Sequence, residues 1–307
     1  MSAPYLLQLE DIVKIYPDRY GHAMTVLNDI DLHVREGEFV TIIGPSGCGK
    51  STLLRLVLGS EQPDSGSILF DNKPICHPQR SRGIVFQKYS LFPHLTVLDN
   101  LAFGLDMEAF TMPGRLLQPL RHRKTRKEFR RQAQEYLERV KLAEHGDKYP
   151  HELSGGMQQR VAIAQGLIMK PRLLMMDEPF GALDDSTRQD MQLYILEQWQ
   201  THKMTIFFVT HDLEEAVFLG TRIIVLSQYY QSDNVAQAGA KIVSDIPTPG
   251  PHPHSSEFKY SPEMNELIRK IRLDGLEPGH RQHISDFDLR HSDSFRTVSK
   301  EDWYDQN

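Results

Sequence analysis

The sequence has little cysteine, no long apolar run and no excess of positive charge. Its 307 residues include only Cys48 and Cys76, too few for a disulfide framework and without zinc-ligand spacing. No stretch approaches the roughly 18 consecutive apolar residues that read as a membrane span. Basic side chains number 35 against 41 acidic, a formal charge of −6, which excludes a uniformly basic nucleic-acid binder. Met1–Tyr16 carries Glu10 and Asp11 but no basic segment leading to a cleavage-like site, so no secretory signal is expected. These absences point to the cytosol. What remains is ordinary for a globular chain, with 39% hydrophobic and 25% charged residues and material for one large domain or two modest ones.

The first half consists of strand-length apolar runs. Leu6–Ile15 and Thr25–Val34 alternate as half-buried strands do, and Phe39–Ile43 suits a fully buried one. From Lys50 the spacing turns helical, with Leu53, Leu54, Val57 and Leu58 on one face and Gly59 as a stop. Ser67–Phe70 and Gly83–Phe86 are further strands. Thr96–Leu105, Glu128–Leu142 and Ser154–Met169 follow as helices. Strand and helix then alternate through Leu173–Met176, Ser186–Gln200, Thr205–Val209, Asp212–Leu219 and Arg222–Leu226. The pattern predicts an α/β fold with a mainly parallel sheet and a helical insert over about 90–169. Lys241–Ile246 is a further strand, and Pro262–Leu273 is a helix in an appended segment, 247–307. The end of that segment, rich in carboxylates and poor in periodicity, is expected to be partly disordered.

Three stretches carry chemistry. Gly44-Pro45-Ser46-Gly47-Cys48-Gly49-Lys50-Ser51 fits the phosphate-binding loop and is followed by Thr52. Its glycines let backbone N–H groups converge on phosphate oxygens, and the following helix aims its positive end at the same anion. Lys50 supplies charge to the β- and γ-phosphates, and Ser51 offers a hydroxyl to Mg²⁺. A chance glycine-rich turn is the bland alternative; the buried strand before it and the amphipathic helix after it decide against that. Leu173–Met176 runs into Asp177 and Glu178. Asp177, at the carboxyl end of a strand, suits a magnesium-held water, and Glu178 is placed to orient or deprotonate an attacking water. Third, Leu153-Ser154-Gly155-Gly156-Met157-Gln158 opens a helix with a second set of anion-facing N–H groups. One triphosphate does not need two such sites unless a second molecule shares it.

With that third motif the chain resembles the ATP-binding-cassette (ABC) ATPases, whose signature is Leu-Ser-Gly-Gly-Gln or a close variant. The resemblance covers about Leu6–Ile246 and implies a P-loop core, an antiparallel β subdomain and an inserted helical subdomain, the nucleotide-binding domain occupying 1–246. It implies that Tyr16 stacks on adenine, with Tyr20 as a rival, and that Gln87 reaches Mg²⁺ and reports to a membrane subunit. It also implies that Ser154, Gly155, Gly156 and Gln158 engage ATP held by a partner, that Asp184 belongs to a loop crossing the dimer interface, and that His211 contacts the γ-phosphate. Asp184 equally suits the first turn of a helix. Gly44–Leu54, Gln87–Gly104, Leu153–Ala164, Asp177–Asp184 and Lys241–Ile246 look most like importers of the nitrate, sulfonate and taurine class. One departure is Ala164-Gln165-Gly166, where the family usually reads Ala-Arg-Ala.

The implied function is ATP hydrolysis with ATP and Mg²⁺, by two copies, or this chain and a close relative, closing head to tail. Two membrane-spanning permease subunits and, indirectly, an extracytoplasmic solute-binding protein complete the implied importer, with this chain peripheral on the cytoplasmic face of the membrane and no nucleic acid involved. The alternative is an ABC ATPase acting on nucleic acid or the ribosome. Only 110 residues separate Lys50 from Arg160, without the sustained heptads of chromosome-maintenance relatives. The basic run Arg115, Arg121, Arg123, Lys124, Arg126, Lys127, Arg130 and Arg131 reads as a solvated helical face rather than a lipid contact. Cys48 lies among backbone donors and beside a cation, surroundings that favour a thiolate. His252 and His254, among prolines, read as a solvated linker.

Overall fold

The computed structural model describes residues 5–88, 90–110, 119–232 and 239–294. Arg115, most of the segment 233–240 and the end of the acidic tail lie outside the described residues. In chain order the elements are β1 (Tyr5–Pro17), β2 (Ala23–Arg35), β3 (Phe39–Ile43), α1 (Lys50–Leu58), β4 (Ser65–Phe70), β5 (Lys73–Pro74), β6 (Arg82–Val85), α2 (Val97–Ala109), α3 (Pro119–Arg139) and α4 (Gly155–Ile168). There follow β7 (Leu173–Asp177), α5 (Asp185–His202), β8 (Thr205–Val209), α6 (Leu213–Leu219), β9 (Arg222–Ser227), β10 (Tyr230–Gln231), β11 (Lys241–Pro247), α7 (Pro262–Ile271) and β12 (Gln282–His283). The chain divides into two compact units: residues up to Arg82 together with those from Thr205 onward, and Gly83–Met204.

In the first unit β2, β1, β4 and β5 form an antiparallel sheet in that order. Its apolar face, including Leu7, Leu9, Ile12, Leu27, Ile30 and Leu32, is buried, as the alternation requires. Beside it β3 pairs in parallel with β8 and β9, Ile42 lying opposite Val209 on one side and Ile224 on the other. Every residue of these three strands is buried, which is why they read as continuous apolar runs. β11 adds antiparallel to β9.

The appended segment is held by buried charge. Arg222 is 1% exposed and donates to both Asp245 oxygens at 2.7 Å, to the His33 carbonyl and to Glu38. Asp245 in turn accepts from Ser294 Oγ at 2.6 Å, and its carbonyl accepts the His291 N–H. Asp293 takes two bonds from Arg35 at 2.6 Å and the Tyr5 hydroxyl at 3.0 Å. Ser261 caps α7 by accepting from the Met264 N–H, with Pro262 at the first helical position. His254 is not solvated, and His252 is half-buried. His254 is 6% exposed and stacks on Phe258 at 3.8 Å, and its ring meets that of His252 at 4.4 Å. Burial pushes His254 down to about 4.

In the second unit β6 and β7 are neighbours, and the elements described between residues 90 and 169 are all helical. α3 begins nine residues before the predicted Glu128, because its first turns are polar and carry no apolar stripe. Its basic run finds acids from a distance: Arg126 and Arg130 reach Asp99, His122 reaches Asp106 at 2.9 Å, and Arg131 bridges Glu128 and Glu135. Arg123, Lys124 and Lys127 are exposed. The departure at Gln165-Gly166 has a packing reason. A Cβ on Gly166 would stand 2.8 Å from Val85 Cγ2, and Gln165 donates to the Asn100 carbonyl.

Asp293→Ala leaves the Arg35 guanidinium without this carboxylate and is expected to lower the urea midpoint of unfolding; an unchanged midpoint would exclude the clasp. Its hydrogen bonds from Arg35 hold the Asp293 carboxyl below its ordinary value, so this contribution is present above about pH 4 and lost on further acidification. For His254 the depressed value means that the unfolded chain binds the proton more tightly. The stability due to its neutral ring is therefore complete above about pH 6.5 and lost as pH falls toward about 4. His254→Phe should flatten that limb of a stability-against-pH curve.

Candidate functional site

In the first unit the phosphate loop leaves β3 and feeds α1. A Cβ at Gly44 would lie 2.7 Å from Cys48 Sγ and closer still to the Leu226 carbonyl, so the main chain passes β9 at a distance only glycine permits. Gly49 has φ +100°, and a Cβ there would press on Leu27 and Val26 at 2.7 and 2.9 Å. Helix α1 then starts with no side-chain cap and no acidic residue in its first turn, the arrangement that an anion completes. Lys50, 9% exposed, curls back to donate to the Gly44 carbonyl at 2.7 Å and the Pro45 carbonyl at 3.0 Å. Its ammonium is thus held over the loop. Cys48 corrects the expectation of a thiolate. It is 1% exposed, and burial raises its thiol above the ordinary value, outweighing Lys50.

His211 follows β8 and is exposed, while Thr210 donates its N–H to the Ile42 carbonyl. β3 and β8 are parallel neighbours, so the phosphate loop and His211 leave the same carboxyl edge of the sheet. Tyr16 is half-buried, its hydroxyl donating to Glu61, with Lys14 Nζ 5.3 Å from its ring centre. Burial raises its hydroxyl above the ordinary value. Tyr20 is largely exposed and covered by the Arg19 guanidinium at 4.7 Å.

In the second unit β7 delivers Asp177 from four buried residues. Glu178 follows with φ +47°, a conformation costly for a side chain of this size. It accepts a 2.8 Å hydrogen bond from Gln87 Nε2, so two residues 91 positions apart meet. Ser154 caps α4 by accepting from the Met157 N–H, and Asp184 caps α5 by accepting from the Thr187 N–H and Ser186 Oγ. These bonds hold the Asp184 carboxyl well below its ordinary value. Ser154, Gly155, Gly156, Arg160 and Asp184 line one cavity of about 420 Å³. Gln158 is turned away: its amide donates to the Pro150 and Leu153 carbonyls and braces the loop before α4. Arg160 escaped the sequence reading as a site residue; its Nη1 is bound to the Val140 carbonyl, and its buried Nε has no hydrogen-bond partner.

Residues 27–181 match the family described as ABC transporter. The chain is 40% identical to the nitrate import ATP-binding protein NrtD of Synechocystis sp., over 86% of this chain and 95% of that protein. It is 44% identical to the spermidine/putrescine import ATP-binding protein PotA of Nitrosomonas europaea, over 73% of this chain and 57% of that one. Among solved structures, a dimer of the ATP-binding cassette MJ0796 in a post-hydrolysis state, bound to ADP and Pi, superposes with a TM-score of 0.65 at 29% identity. That match covers 80% of this chain and 99% of the other.

The two cysteines should separate by reactivity. Exposed Cys76 is expected to label with a thiol reagent at neutral pH at least about tenfold faster than Cys48, whose thiol is buried and raised. Equal rates in a peptide-resolved mass-spectrometric time course would show that Cys48 is open to solvent.

Proposed function

Because the chain belongs to the ABC transporter ATPase family, we propose that it is the ATP-hydrolysing subunit of a solute importer, working as a pair of cassettes. The observation that carries this reading is the cavity where Ser154, Gly155, Gly156 and Asp184 converge. It joins the capped start of α4 to the start of α5, and it belongs to a chain that already has a phosphate loop of its own. In a head-to-tail pair, each ATP is held by one chain's Gly44–Thr52 and by the other's Ser154–Gly156. The γ-phosphate gives both chains something to bind, so triphosphate favours the closed pair and hydrolysis releases it.

Within each half, Tyr16 offers its ring to adenine. Lys50 swings from the loop carbonyls to the β- and γ-phosphates and stabilises the charge that develops there. His211 contacts the γ-phosphate from the neighbouring strand. Glu178 orients the attacking water and takes its proton. Ser51, Gln87 and Asp177 can each offer an oxygen of the kind Mg²⁺ takes; Gln87 gives its amide nitrogen to Glu178, so its oxygen is the atom that would serve as a ligand. Bound there, the ion would neutralise phosphate charge.

No helix among the described residues is long and apolar enough to cross a membrane; in this reading the transport path is supplied by separate permease subunits, with an extracytoplasmic solute-binding protein delivering cargo. The named relatives import a nitrate anion and polyamine cations at 40% and 44% identity. That range of charge fits a cassette whose chemistry is blind to the solute. In the nitrate, sulfonate and taurine class, the cargo is likewise selected outside this subunit.

Glu178→Gln is expected to keep ATP binding and to lower turnover by about a hundredfold or more, with the nucleotide-bound pair accumulating in size-exclusion chromatography. Undiminished turnover would remove the role given to Glu178. Wild-type turnover per chain should fall on dilution as the pair dissociates; a rate independent of protein concentration in a species shown to be monomeric would refute the shared site.

A further inference from the structure

His211 is exposed, yet the residues on either side of it are fixed by buried polar groups. Thr210, 2% exposed, donates its hydroxyl to Glu215 Oε2 at 2.8 Å, and its own Oγ1 accepts the Asp212 N–H at 3.0 Å. Thr210 also gives its own N–H to the Ile42 carbonyl, two residues before the phosphate loop. On the other side, Asp212 caps α6 by accepting from the Glu214 and Glu215 N–H groups at 2.9 and 3.2 Å. Helix α6 is itself tied to β3, because Thr41 Oγ1 donates to the Ala216 carbonyl at 3.1 Å. Glu215 is only 7% exposed. A carboxylate is expensive to keep out of water, and packing alone would favour an apolar side chain at that place on the helix. What this carboxylate does here is hold a hydroxyl that in turn holds the backbone of residue 212.

We propose that Thr210 and Glu215 are positioning residues for His211: the Glu215–Thr210–Asp212 relay fixes the main chain around the histidine relative to β3, leaving only its side-chain torsions to move. The inference rests on the reading of His211 as the γ-phosphate contact and adds what aims it. Because the relay runs through one hydroxyl, it is removed by a near-isosteric change, and its effect should pass entirely through His211.

The test is steady-state ATP hydrolysis by the full chain, with thermal unfolding followed in parallel. Thr210→Val is expected to lower kcat about tenfold with KM for ATP within about twofold, and Thr210→Ser, which keeps the hydroxyl, to restore most of it. Glu215→Ala, removing the acceptor, should reproduce the Thr210→Val defect and covers the case in which that variant fails to fold. In a His211→Ala background Thr210→Val should cost nothing further, a non-additivity that a general loss of packing would not produce. If His211→Ala is impaired while Thr210→Val hydrolyses at the wild-type rate, or if Thr210→Val costs the same factor with and without His211, the relay has no positioning role. If His211→Ala itself retains full kcat, the γ-phosphate reading fails and takes the relay with it.

Discussion

A phosphate can be gripped by main-chain N–H groups only where the main chain is allowed to come close. In this protein that permission is concentrated at Gly44, where any side chain would collide with the Leu226 carbonyl on the next strand. β3 is flanked in parallel by β8 and β9 and is wholly buried, so it cannot shift to make room. The loop is therefore defined by its neighbours as much as by its own residues. The same parallel pairing brings the end of β8, and with it His211, to the edge from which the loop emerges. Lys50 folds onto the carbonyl of the same Gly44, and α1 starts uncapped because its N-cap residue is Gly49.

The second unit repeats the use of helix starts in a different form. Ser154 and Asp184 each satisfy their own helix by accepting a backbone N–H, and Gly155 and Gly156 line the cavity beside them. The proposed pairing of two chains rests on this second kind of helix start standing beside a phosphate loop in one sequence. The Gln87–Glu178 bond adds a further economy, since the residue proposed to sense the membrane partner touches the one proposed to handle water.

The parts that could be read from sequence are those whose signal is local. β3, the phosphate loop, α1 with its Gly59 stop, and β7 running into Asp177 are each set by a few adjacent residues, and their bounds agree with the structure to within a residue or two. Features decided at long range could not be read in the same way. Arg222 and Asp245 are 23 positions apart, and Arg35 and Asp293 are 258 apart; no periodicity announces such pairs. Cys48 misled because the cation beside it is visible in sequence and its burial is not. His252 and His254 misled because prolines suggest a solvated linker, whereas Phe258, four residues beyond His254, covers its ring. The polar first turns of α3 hid the start of a helix whose acidic partners come largely from α2.

The contact between Tyr5 and Asp293 closes a loop of 288 residues. The two ends of the described chain are consequently stitched to each other, through Arg35 on β2, and the sheet lies inside the stitch. Mechanical tension applied across these two ends would load this ionic fastening together with the Ser294–Asp245 bond and the Tyr5–Arg35 end of the β1–β2 ladder, so the seam shares its load with the sheet it closes.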